Sequence, residues 1–140
     1  MGPAPEDATN LAAACYRRRS PEVVRDVFRQ LGIDAPGLLL PFYLAFQGPF
    51  FSKKIGFELL DLIEQDENIQ TVTQVCREEF GFPREALVLM DLVANAVLVY
   101  DTRTDRVFNV DMEGGDIEFI QGRLDAKWNS FEAFLEFYFS

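Results

Sequence analysis

Between Leu87 and Val110 the hydrophobic pattern fits β-strands and not helices. Leu87-Val88-Leu89-Met90, Ala96-Val97-Leu98-Val99-Tyr100 and Arg106-Val107-Phe108-Asn109-Val110 are short runs rich in β-branched residues. Thr102-Arg103-Thr104-Asp105 separates the last two as a turn. Short apolar runs joined by polar turns define a hairpin or meander of antiparallel strands. The expected sheet holds residues 87–91, 96–100 and 106–111. In its last strand Val107 and Asn109 face one side, Phe108 and Val110 the other. Gly114-Gly115 breaks the pattern, and Ile117-Glu118-Phe119-Ile120 reads as one more short strand.

Helical patterns lie on both sides of this stretch. Residues 7–17 read as a first helix running into Arg17-Arg18-Arg19, a basic cluster suited to a helix C-terminus. Ser20-Pro21-Glu22 is a helix start: a hydroxyl cap, a proline in the first turn and an acid behind it. Val24, Val27, Phe28 and Leu31 then form one apolar stripe, which Gly32 ends. A short helix near Pro41 carries Leu39, Phe42, Tyr43 and Phe46, and Gly48-Pro49 closes it. Phe50 and Phe51 are adjacent, so in an extended segment only one can point inward. Asp61 to Asn68 reads as an acidic connection. The next helix runs from about Asn68 to Phe80 with Ile69, Val72, Val75 and Cys76 inward, and Gly81-Phe82-Pro83 terminates it. Ser130 caps a last helix whose inner face is Phe131, Phe134, Leu135 and Tyr138. Helices, a meander and a closing helix give an α+β fold, with helices packed on an antiparallel sheet. At 140 residues the chain holds one core and one domain, 1–140.

Chemistry is narrowed by what the chain lacks. It contains no histidine, which removes His bases, Ser-His and Cys-His pairs, and His metal ligands. Its two cysteines, Cys15 and Cys76, lie in stretches read as helical and make no C-x-x-C motif, which fits a reducing compartment. Asp111-Met112-Glu113-Gly114-Gly115-Asp116-Ile117-Glu118 superficially resembles a calcium loop but lacks the ligand spacing of one. The glycine pair is no phosphate cradle either, because no helix start with a lysine follows and the neighbouring acids repel phosphate. A carboxylate-dependent enzyme finds no pair of acids that sequence places in a cleft. No catalytic, metal or cofactor residue is therefore assigned. The N-terminus is polar, without the basic and apolar regions of a signal peptide, and the longest apolar run, Leu38 to Phe46, is far shorter than a membrane span. The expectation is a soluble cytoplasmic protein.

The net charge is −10, and residues 71–140 carry thirteen acids against six bases. Such a chain is repelled by nucleic acid and by anionic membranes, and suits a basic partner. The acids that flank the turns of the β half are Asp101, Asp105, Asp111, Glu113, Asp116 and Glu118. With Phe50 and Phe51 as possible apolar anchors, these are the candidate partner-binding residues.

The order of segments also resembles the SUKH superfamily, and within it the Smi/Knr-like bacterial immunity proteins. The resemblance rests on Leu40-Pro41-Phe42-Tyr43-Leu44-Ala45-Phe46 running into Gly48-Pro49, then Glu58-Leu59-Leu60-Asp61-Leu62 and Gly81-Phe82-Pro83. Leu98-Val99-Tyr100-Asp101, Val107-Phe108-Asn109-Val110 and the closing Trp128-Asn129-Ser130-Phe131-Glu132-Ala133-Phe134-Leu135 continue it. It covers roughly residues 38–139, leaving 1–37 as an N-terminal helical extension. It implies a non-catalytic α+β protein without cofactors that binds a cognate toxin domain of a polymorphic or contact-delivered effector and occludes its active site. The alternative within the same superfamily is a non-catalytic intracellular regulatory scaffold.

Overall fold

A computed structural model describes residues 18, 22–34, 37–52, 58–64, 66–90 and 95–139. The expected helix over 7–17, the Ser20-Pro21 start and residue 91 of the first strand lie outside the described residues. Among the described residues five helices and three strands follow in the order α1 (Glu22–Leu31), α2 (Leu39–Ala45), α3 (Ile69–Phe80), β1 (Ala86–Val88), β2 (Ala96–Asp101), β3 (Arg106–Asp111), α4 (Gly115–Ile120) and α5 (Phe131–Tyr138). The strands form an antiparallel sheet in the order β1-β2-β3, with Leu87 opposite Tyr100 and Tyr100 opposite Val107. This is the α+β architecture expected from the sequence.

Local chemistry accounts for the helix ends. Asn68 accepts a hydrogen bond from Thr71 N, and its own N–H donates to Thr71 Oγ1, a reciprocal cap at the start of α3. Gly81 ends that helix at φ 71°, a conformation that costs a glycine nothing. Ser130 Oγ accepts from Ala133 N and opens α5 as expected. The inner face of α3 is Ile69, Val72, Thr73 and Cys76, while Val75 is exposed instead of inward. Residues 69, 72, 73 and 76 share one stripe at helical spacing, and 75 lies off it.

The two faces of the sheet are covered differently. On one face α5 lays Phe131 against Tyr100, ring centroids 5.6 Å apart, and at the outer edge of β3 Trp128 pairs with Val107 as an extra bridge. On the other, Phe119 of α4 packs on Phe108 at 5.1 Å and on Phe82 at 5.6 Å. Val107, Phe108 and Val110 are buried and Asn109 is exposed, so β3 has neighbours on both faces. The free edge of β1 is stopped by α3: Val88 N donates to Thr73 Oγ1. Val24, Val27, Phe28 and Leu31 of α1 join the same core as the sheet and α5.

Two expectations are corrected here. Ile117-Glu118-Phe119-Ile120 is helix, not strand. Gly114, at φ 132°, turns the chain sharply, and Gly115 lies so close to Asp111 that a Cβ would sit 3.1 Å from the Asp111 Cβ. The chain thus doubles back before it can extend. Asp116 and Glu118 then favour the first helical turn, and Phe119 alone anchors it, overriding the β-propensity of two isoleucines. Arg18, expected in a basic cluster at a helix C-terminus, is instead held in a buried ion pair, while Arg17 and Arg19 lie outside the described residues. The Arg18 side chain is 1% exposed and pairs with Asp61, itself 0% exposed.

Candidate binding surface

Of the eight candidate binding residues, the structure commits several to the fold. Phe50 is fully buried, bridges Leu59, and packs on Phe42 and Tyr43, with its carbonyl accepting from Tyr138 Oη at 2.7 Å. It is a core residue and offers no anchor to a partner. Its neighbour Phe51 is 62% exposed, as the one-in, one-out argument requires.

Asp101 and Asp105 build the β2–β3 turn. Asp101 is buried, contrary to the expectation that it escapes the core; its Oδ1 accepts from Arg103 N at 2.9 Å. Arg103 reaches Glu85 at 3.4 Å and Asp101 at 3.7 Å, which fixes the turn against β1. Asp105 sits at φ 64° and accepts a 2.6 Å hydrogen bond from Tyr100 Oη. Burial first, and then this hydrogen bond to a carboxylate, hold the Tyr100 phenol far above its usual range. Gly37 lies against the Asp105 carboxylate, where a Cβ would approach its oxygens to 2.7 Å.

The remaining four acids stand at the β3–α4 corner. Asp111 and Glu113 are exposed, and Asp116 and Glu118 are half-buried. Asp111 Oδ1 accepts from Glu113 N at 2.9 Å, and Asp116 Oδ1 from Gly114 N at 3.3 Å, so both shape the turn while still reaching solvent. Glu118 is held by Arg123 through two 3.0 Å bonds, and this partner holds its carboxyl below the usual carboxylate range. Among the described residues Asp111, Glu113 and Asp116 form no ion pair with a lysine or arginine. Nor does any group of three acids or cysteines among the described residues converge as metal ligands would. These carboxylates fan outward.

Sequence reasoning missed two features. One is α4 itself: none of its six residues is fully buried, and Ile117 and Ile120, one turn apart, are 54% and 40% exposed. Beside Ile120 a cleft of about 230 Å³ opens between α4 and the β2–β3 turn, floored by Phe108, Phe119 and Leu124. The other is the Arg18–Asp61 node. Arg18 also donates from Nε to Tyr43 O and from its backbone to Ala45 O. Asp61 accepts from Gly48 N at 2.8 Å, Ile63 N at 3.0 Å and Glu64 N at 2.9 Å as well. The signal was a single acid inside Leu59-Leu60-Asp61-Leu62-Ile63, where an apolar run leaves no solvent for it.

No protein-family model matches the chain, and no curated protein matches it. No helix among the described residues is long and apolar enough to cross a membrane.

Proposed function

We propose that the protein is an immunity protein of the SUKH type, acting in the cytoplasm as a stoichiometric binder that covers the active site of a cognate toxin domain. The observation that carries the reading is the set of solvent-reaching carboxylates Asp111, Glu113 and Asp116, unpaired with any lysine or arginine among the described residues, on a chain of net charge −10. A surface of this kind complements a basic cleft, such as one that binds a polyanionic substrate, and speeds encounter with it. In this mechanism the chain performs no bond chemistry. It places carboxylates where substrate phosphates would sit and excludes the substrate.

The test is co-expression with the toxin domain encoded by the adjacent gene. The expected result is a one-to-one complex, rescue of growth, and an association rate that falls as salt rises. A neighbouring toxin domain that neither binds the protein nor is neutralised by it refutes the reading.

A further inference from the structure

The strongest unexplained surface is α4. A short helix that buries none of its residues fully, and turns two isoleucines to solvent, does little for the core beyond seating Phe119. Scattered exposed aliphatic residues are ordinary, but these two lie together on one helical face. They adjoin, at one end of the helix, a cleft whose lining is mainly polar with Phe108 and Phe119 among it, and at the other three acids without cationic partners among the described residues. The cleft's own charges balance: Arg103 is engaged by Glu85 and Asp101, and Arg106 on its rim forms no ion pair among the described residues. Ile117 and Ile120 therefore supply the apolar contact, while charge decides what approaches the acidic end. An apolar centre beside a charged margin is the usual anatomy of a protein interface.

We infer that α4 is the docking element, and that its occupant is a cationic, amphipathic segment of the partner. Its lysines or arginines meet Asp111, Glu113 and Asp116, and its aliphatic or aromatic side chains meet Ile117 and Ile120. The inference rests on the binding reading above and deepens it by naming the surface and the chemistry that fits it.

The test uses the full chain and two synthetic peptides of equal charge, a Lys/Leu amphipathic helix and a Lys/Ser counterpart. Nuclear magnetic resonance shifts map where each binds, and calorimetry gives affinity. The Lys/Leu peptide is expected to perturb residues 111–124 and to bind more tightly than the Lys/Ser peptide. The double variant Ile117→Ser/Ile120→Ser is expected to weaken the Lys/Leu peptide by about tenfold or more while leaving the Lys/Ser peptide unchanged. The triple variant Asp111→Asn/Glu113→Gln/Asp116→Asn is expected to flatten the salt dependence of both. Peptide contacts that map away from α4, the absence of binding, or equal affinity after loss of both isoleucines would overturn the inference. The same variants are carried into the co-expression assay. A toxin domain that holds the Ile117→Ser/Ile120→Ser protein at wild-type strength rejects α4 as its dock and leaves the toxin reading standing. A toxin domain that ignores the wild type, while the Lys/Leu peptide still engages α4, rejects the toxin reading and supports the surface.

Discussion

Replacing Asp61 with Leu tests the least expected part of the structure. The Asp61 carboxylate is the acceptor for four donors: the Arg18 guanidinium and the amides of Gly48, Ile63 and Glu64. Removing it leaves a cation and three amides in a region from which water is excluded. Deleting one partner of a buried ion pair costs roughly 3–5 kcal/mol, a large share of the roughly 5–15 kcal/mol that holds a domain together. With an unfolding entropy of about 2.1 cal/mol/K per residue, that corresponds to a melting point lower by roughly 10–17 °C for a chain of this length. Arg18→Met is expected to cost less, because the remaining carboxylate keeps its three amide donors. The two changes share one interaction, so their effects should fall short of adding, with a coupling of about 0.5–3 kcal/mol in a double-mutant cycle. Thermal and urea unfolding of the wild type, both single variants and the double variant, followed by circular dichroism, measures all of this. A buried pair is poorly screened, so the loss should be nearly the same at low and high salt. Asp61→Leu melting within about 2 °C of the wild type, or Arg18→Met proving the costlier change, would refute the reasoning.

Three further outcomes follow from other contacts. Tyr138→Phe deletes the hydroxyl that donates to Phe50 O and accepts from Leu59 N, so unfolding stability should fall by about 1–3 kcal/mol in a urea titration, and an unchanged midpoint would show that the bridge does not depend on α5. Gly37→Ala forces a side chain into φ 63° and against the Asp105 carboxylate; a loss of at least about 1 kcal/mol is expected, and a stabilised protein would contradict the close approach. Burial, and then the charge of Glu79, push the Cys76 thiol up to about 11 from a model-compound value of 9.0. The native state therefore holds this proton more tightly than the unfolded chain. Its contribution is whole below pH 9 and is lost as pH rises towards 11. Stability measured from pH 8 to 11 should decline, and Cys76→Ala should decline less; identical profiles would exclude the thiol as a cause.

The parts of the fold that were legible are those whose local and tertiary preferences agree. Asn68 and Ser130 cap helices because short polar side chains reach free amides, and nothing in the tertiary structure competes with that. The meander was readable because β-branched runs were separated by turn residues. The α4 segment was misread because its isoleucines and phenylalanine favour strand locally, whereas the Gly114-Gly115 reversal and the single contact set of Phe119 decide the matter from a distance. The Arg18–Asp61 pair was invisible for a related reason. Its members are 43 residues apart, so the apolar run around Asp61 could signal a buried acid but could not name Arg18 as its partner.

The acids of the β half show how far composition can carry an argument about a surface. Counting them gave a net charge but treated six carboxylates as equivalent. In the structure their roles separate by what their neighbours demand. The β2–β3 turn puts Asp105 at a positive φ and leaves amides to be satisfied, so Asp101 and Asp105 are absorbed as hydrogen-bond acceptors. Glu118 has a guanidinium within reach and is neutralised. Asp111, Glu113 and Asp116 remain, because the corner they shape is made from two glycines and no lysine or arginine among the described residues pairs with them. A charge reversal at Asp101 would thus report on folding, whereas one at Glu113 reports on the field that a partner meets. The residues that discriminate between binding and stability are those whose charge the fold leaves without a cation among the described residues, and here they lie next to a helix whose isoleucines face solvent.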